Sequence, residues 1–281
     1  MNYDANTLNY INSTIERYIP ETKFPLSIYD SVRYSLLGDG KRIRPYLMIE
    51  ACELVGGDKR FIEPLFSALE MIHTYSLIHD DLPCMDNDDE RRGKPTNHVV
   101  FGYSTAVLAG DALLNMAYET MFKGYNYAAN PQNYIKACRI ISENAGIQGM
   151  VSGQVADMSF NENSKDEQAL KFIYQKKTGA LIKAGLLAGA LSSEVEPEKF
   201  NAINNYADSL GLLFQLTDDV LDMEDGEPEK GKMTYGSVFG YQYTLNLINE
   251  ECQKAKQALI IFKDKGKSLS DFAEKISKRS K

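Results

Sequence analysis

The chain has 281 residues, 43% hydrophobic and 25% charged, which is enough apolar material for one large domain or two smaller ones. A net charge of -8 argues against a general nucleic-acid binder. The polar opening MNYDANTLNY has no signal-peptide core, and the longest apolar stretch, Ala184 to Leu191, is too short to span a bilayer.

Helical periodicity predicts helices over 6–18, 25–37 and 41–55. Leu65, Ala68, Leu69, Ile72, Ser76 and His79 then recur at three- and four-residue steps. Further helical patterns cover 102–122, 132–145, 146–160, 167–191, 196–224, 237–262 and 269–279. Breaks fall at Gly56-Gly57, Gly93-Lys94-Pro95, Asn130-Pro131, Glu196-Pro197 and Gly226 to Gly231. No strand, repeat or long linker is evident, so the expectation is one all-α domain, 1–281, of about ten helices, several long and antiparallel. Cys52, Cys84, Cys138 and Cys252 show no CxxC spacing, which predicts reduced thiols, a cytoplasmic location and no zinc site.

Acid is unevenly placed along this pattern. Asp80, Asp81, Asp86, Asp88, Asp89 and Glu90 crowd into 80–90 and are followed at once by Arg91 and Arg92. So dense a cluster repels itself unless a cation sits among it. Carboxylates suit Mg2+ or Ca2+, substrate phosphates typically complete the shell of Mg2+, and an arginine pair suits phosphate oxygens. A solvated acidic loop is the plain alternative, but a second motif, Asp218-Asp219-Val220-Leu221-Asp222, ends the apolar run LGLLFQL. Asp218 and Asp222 are four apart and share a helix face, with Gln215 and Gly211 preceding them on it. Asp80 and Asp86 are six apart with Pro83 between, so the helix is expected to bulge or end there and let Asp86 swing back.

The turn Gly38-Asp39-Gly40-Lys41-Arg42-Ile43-Arg44-Pro45 offers free N–H groups and cations suited to a diphosphate, although it is no Walker motif. Lys177-Thr178-Gly179 interrupts a long helix and is expected to kink it, aiming Lys177 and the Thr178 hydroxyl into a cavity. Asp111, Gln154 and Asp157 are polar positions inside helices, either orienting these groups or simply structural.

These segments, in this order, resemble the polyprenyl diphosphate synthase family, nearest its bacterial farnesyl diphosphate synthases: GDGKRIRP, HTYSLIHDDLPCMDNDDERRG, GD at 110–111, GQ at 153–154, KTG at 177–179, FQLTDDVLD and GKMTY. The resemblance implies a homodimeric, all-α antiparallel bundle around a deep apolar cavity, and a trans-prenyltransferase that joins isopentenyl diphosphate to an allylic diphosphate. It implies three Mg2+ ions on Asp80, Asp86 and Asp218, with Asp81, Asp219 and Asp222 in the same catalytic motifs. Lys41, Arg44, His73 and Arg92 would hold isopentenyl diphosphate. Arg91, Lys177, Thr178, Gln215 and Lys232 would hold the allylic partner. Tyr75, with Ser76 beside it, lies roughly 7.5 Å deeper than Asp80 along a helix and is expected to stop growth at the farnesyl length. The loop MEDGEPEKGKMTYGS is shorter and more acidic than the family pattern, with Lys230 in place of an expected lysine and Gly236 in place of a proline.

Rival readings are a class I terpene cyclase, which has no use for Lys41, Arg44 and His73, and a longer-chain, geranylgeranyl-forming synthase. A di-iron bundle needs two Glu-x-x-His pairs, and only Glu70–His73 fits. A non-catalytic partner subunit has only the shortened loop in its favour.

Overall fold

The computed structural model describes residues 4–159, 166–224 and 233–279. They form two compact units, Met1–Tyr46 with Lys59–Ile135, and Leu47–Asp58 with Lys136–Lys281. The described residues are overwhelmingly helical, as the periodicity predicts.

In the first unit, α1 (Ala5–Arg17), α2 (Leu26–Leu36) and the start of α3 (Ile43–Val55) precede α4 (Lys59–Asp80). Asp4 caps α1 by accepting from the Asn6 N–H at 2.9 Å, and Ile11 and Ile15 turn inward. Ile62, Leu65, Phe66, Leu69 and Ile72 make α4 the buried spine, each contributing about 1.5–3 kcal/mol on burial. It packs on α6 (Tyr103–Tyr125), whose buried face carries Leu113, Ala117 and Met121.

Two features here depart from the expectation. Between α4 and α6 lies a separate five-residue helix, α5 (Asn97–Phe101), which Gly102 at φ 86° divides from α6. A two-residue hairpin pairs β1 (Glu90–Arg91) with β2 (Lys94–Pro95), Arg91 opposite Lys94. Arg92 and Gly93 turn it with φ of 56° and 73°, the left-handed pair that matches strand twist. So short and charged a hairpin has no alternating apolar pattern, which is why periodicity missed it.

After α7 (Pro131–Ala145), which runs from the first unit into the second, come α8 (Met150–Ser159), α9 (Glu167–Ile173), a π-helical segment (Tyr174–Gly179), α10 (Ala180–Ala190) and α11 (Pro197–Glu224). The interruption expected at Lys177-Thr178-Gly179 is therefore a change of helix type. The rest is α12 (Tyr235–Phe239), α13 (Tyr241–Ala258), a 3-10 stretch (Ile260–Gly266) and α14 (Lys267–Ser277). The single helix expected over 237–262 is likewise divided, by Gly240 at φ 91°. Almost all of α10 is buried, and its small residues permit close approach: a Cβ on Gly189 would meet the Met48 carbonyl at 2.3 Å.

Candidate active site

Each unit ends a long helix on an acidic motif. In the first, α4 stops at Asp80, and the Asp86 N–H donates to the Asp80 carbonyl at 2.9 Å, folding the loop back on the helix end as expected. In the second, Asp218 and Asp222 stand in the last turns of the 28-residue α11. A helix C-terminus carries negative potential, so carboxylates there are unfavourable by about 0.3–1 kcal/mol each until a cation joins them.

The paired aspartates divide the work in the same way in both motifs. Asp80 and Asp218 are half-buried, whereas Asp81 and Asp219 are 4% and 2% exposed. Asp81 accepts from Arg91 Nε at 2.6 Å, and burial pushes its carboxyl up to about 6 despite that arginine. Asp219 accepts from the Tyr174 hydroxyl at 2.5 Å and from the Tyr235 N–H at 3.1 Å. Burial pushes it up to about 7, against the pull of those hydrogen bonds. Asp219 thereby ties α11 to the π segment and to the start of α12.

A basic cluster occupies the first unit. Arg42, at φ 45° and 5% exposed, donates to Glu70 Oε1 at 2.9 Å, to Asn12, and to the Leu36 and Gly38 carbonyls. Fully occupied, it shapes the turn that presents Lys41 and Arg44. Asp39 holds the hairpin to this turn: its carbonyl accepts from Arg92, and its carboxylate from Lys94 at 2.7 Å. Gly40 lies close under these side chains: a Cβ there would sit 2.8 Å from Arg92 Nη1, so the guanidinium would have to shift. His73 is held well below the usual histidine range, first by burial and then by Arg44, Arg92, Arg42 and Arg91. Burial also lowers Arg44 to about 10, with Glu70 opposing. Arg44 Nε and Glu70 Oε2 are buried and have no hydrogen-bond partner. An uncommitted guanidinium N–H among so much positive charge suits an anion. A cavity of about 300 Å³ in this unit is lined by Asp81, Arg91, Arg92, Asp39 and Thr74 among others.

The second unit has its own cavity, about 350 Å³, lined by Asp157, Tyr174, Lys177, Thr178, Gln215, Asp218, Asp219, Asp222, Thr234 and Arg279 among others. Glycines bring its walls together. A Cβ on Gly211 would lie 2.7 Å from Gly179 Cα, and one on Gly153 2.2 Å from the Lys177 nitrogen. The π segment thus lies directly on α11 and α8. Thr178 Oγ1 donates to Gln215 Oε1 at 2.8 Å, and Lys177 Nζ to Asp157 Oδ2 at 2.6 Å. Asp157 is thus an orienting partner, the first of its two readings.

Tyr75 is 9% exposed, with its ring edge-on to His79 at 5.8 Å. The Ser76 hydroxyl is spent on the His73 carbonyl at 2.8 Å. Asp111 is exposed on α6. Lys232, Lys230 and most of the acidic loop lie outside the described residues. Gly236 lies against Met223, whose sulfur a Cβ would meet at 2.0 Å, so a larger residue there would require that side chain to move.

Among the described residues, no three His, Cys, Asp or Glu side chains converge tightly enough to hold a metal alone. The donors still fit Mg2+, which binds through one or two carboxylates and completes its shell with water and phosphate. Both sets are all-oxygen, and both stand where a helix end calls for positive charge. Sequence reasoning weighed Glu70 only as half of a di-iron pair, and assigned no role to Arg42, Tyr174, Tyr235 or Arg279. Arg42 lies inside the quoted turn; nothing in the local pattern around Arg279 marks it.

A family model described as polyprenyl synthetase matches residues 26–273. A heterodimeric geranylgeranyl pyrophosphate synthase large subunit of Arabidopsis thaliana is 39% identical over 99% of this chain and 79% of its own length. A geranylgeranyl diphosphate synthase of Cyanophora paradoxa is 41% identical over 96% and 93%. The solved structure of a geranyltransferase from Legionella pneumophila superposes with a TM-score of 0.87 at 33% identity, covering 98% of this chain and 96% of that one.

Proposed function

This chain belongs to the polyprenyl synthetase family, and we propose that it joins isopentenyl diphosphate head to tail to dimethylallyl or geranyl diphosphate, releasing pyrophosphate and making farnesyl diphosphate. Lys41, Arg44, His73 and Arg92 grip isopentenyl diphosphate; the uncommitted Arg44 Nε supports this assignment. Lys177, Thr178, Gln215 and Arg91 bind the allylic diphosphate, joined by Lys232. Asp80, Asp86 and Asp218 hold up to three Mg2+ ions, which when bound neutralise the charge that builds on the departing diphosphate. Asp222 supports Asp218 from one turn on, while Asp81 and Asp219 anchor the two motifs. The chain supplies no covalent nucleophile, and the released pyrophosphate takes the final proton. Both compact units serve one catalytic domain. The working enzyme acts in the cytoplasm as a homodimer, and Leu108 and Phe122, 59% and 69% exposed on α6, support the pairing. No helix among the described residues is long and apolar enough to cross a membrane.

One observation carries the product length: a buried tyrosine one and a half turns before Asp80 on the same helix. The names of the Arabidopsis and Cyanophora relatives favour a second reading, a geranylgeranyl product. Incubation with Mg2+, labelled isopentenyl diphosphate and each allylic starter, followed by sizing, separates the two. The expected product is farnesyl diphosphate, with Tyr75→Ala shifting it to longer chains. A geranylgeranyl product from the parent enzyme would establish the second reading, and an unchanged spectrum in Tyr75→Ala would remove that residue from the account.

A further inference from the structure

Asp218 carries a negative charge at the negative end of α11, and the protein supplies a cation of its own to that spot. Arg279, just past α14, places Nη1 2.7 Å from Asp218 Oδ1. It lines the same cavity as Lys177, Thr178 and Asp222. The other cation lining that cavity among the described residues, Lys177, is turned to Asp157. Several contacts set Arg279 in this position. Leu269, Phe272, Ala273 and Ile276 bury one face of α14, and the Tyr206 hydroxyl of α11 donates to the Leu269 carbonyl at 2.8 Å. Glu274 accepts from both Lys256 and Lys278. The Arg279 N–H donates to the Ile276 carbonyl at 3.1 Å.

A guanidinium and a divalent ion on one carboxylate repel each other and compete for it. We propose that Arg279 is a tethered cation that holds Asp218 while no metal is bound and passes to the diphosphate when a metal–diphosphate complex enters. The proposal rests on the reading of Asp218 as a metal ligand. It makes Arg279 a diphosphate-binding residue. Metal binding at Asp218 must then displace an existing ion pair, so free metal binds weakly until the diphosphate offers the guanidinium a new partner.

The test is a titration with Mn2+, read from the EPR signal of the free ion, with and without inorganic pyrophosphate, on the parent, Arg279→Ala, Arg279→Lys and Asp218→Ala proteins. Arg279 lies outside α14, so its substitution should leave the fold intact, which the circular dichroism melt checks. Without pyrophosphate, Arg279→Ala should bind Mn2+ about threefold more tightly, the scale of a partly exposed ion pair. Arg279→Lys, which keeps the charge, should stay near the parent. At saturating Mn2+, Arg279→Ala should bind pyrophosphate more weakly by a similar factor. Mn2+ affinity that is unchanged or weaker in Arg279→Ala overturns the exchange, as does unchanged pyrophosphate affinity. If Asp218→Ala loses Mn2+ while Arg279→Ala is neutral, only the role of Arg279 fails. If Asp218→Ala binds Mn2+ like the parent, the metal-ligand reading fails with it.

Discussion

Within each Asp-Asp pair, the first carboxylate is half-buried and its neighbour is buried and locked to a partner side chain. Adjacent helical residues point about 100° apart, so one of such a pair can be buried while the other is not. The sequence shows two equal acids; burial makes Asp81 and Asp219 anchors, with Arg91 and Tyr174 as their partners. His73 is a similar case. It reads as a diphosphate ligand from its motif, but burial first and then four arginines hold it well below the usual histidine range. The consequence for stability follows from linkage. Below the ordinary histidine value near 6.5 the unfolded chain takes up a proton that the folded chain refuses, so stability is full above that pH and falls as pH drops below it. One such group contributes at most about 1.4 kcal/mol per pH unit. Denaturant melts of the parent between pH 7 and 5 should show this loss, and His73→Gln should flatten it. Identical pH slopes in the two proteins would exclude His73 as the source.

Among the elements, the π segment matters most for the site. Its location is legible from Lys177-Thr178-Gly179, yet its hydrogen-bond register is not. That register depends on Gly153 and Gly211, which are distant in sequence and lack the Cβ atoms that would hold the helices apart. Gly211→Ala would place a methyl carbon 2.7 Å from Gly179 Cα, backbone that cannot rotate aside. Overpacking of this kind costs about 1–3 kcal/mol. It should also pull Thr178 away from Gln215, whose hydrogen bond spans this crossing at 2.8 Å. The expected outcome is a lower Tm and a raised KM for the allylic diphosphate, with the KM for isopentenyl diphosphate unchanged. Equal effects on both KM values would show a general loss of folding instead. The five-residue helices α5 and α12 and the hairpin at 90–95 escaped periodicity because each is shorter than the window in which a period can be seen.

In the molecule as a whole, each unit carries one acidic motif and a cavity lined in part by that motif. If both motifs serve one reaction, neither suffices alone. Asp80→Ala and Asp218→Ala should each reduce kcat by several orders of magnitude while far-ultraviolet circular dichroism stays parental, because both side chains are only half-buried. Near-parental turnover in either would remove that motif from the chemistry. By itself the chain determined its helical class, the order of its motifs and the chemistry they suit, since apolar periodicity and residue type are local properties. Which acid is an anchor, which arginine is structural and which remains open to an anion were decided only by the tertiary structure. Those roles are set by burial and by partners such as Arg42 with Glu70, or Arg279 with Asp218, that lie 28 and 61 residues apart.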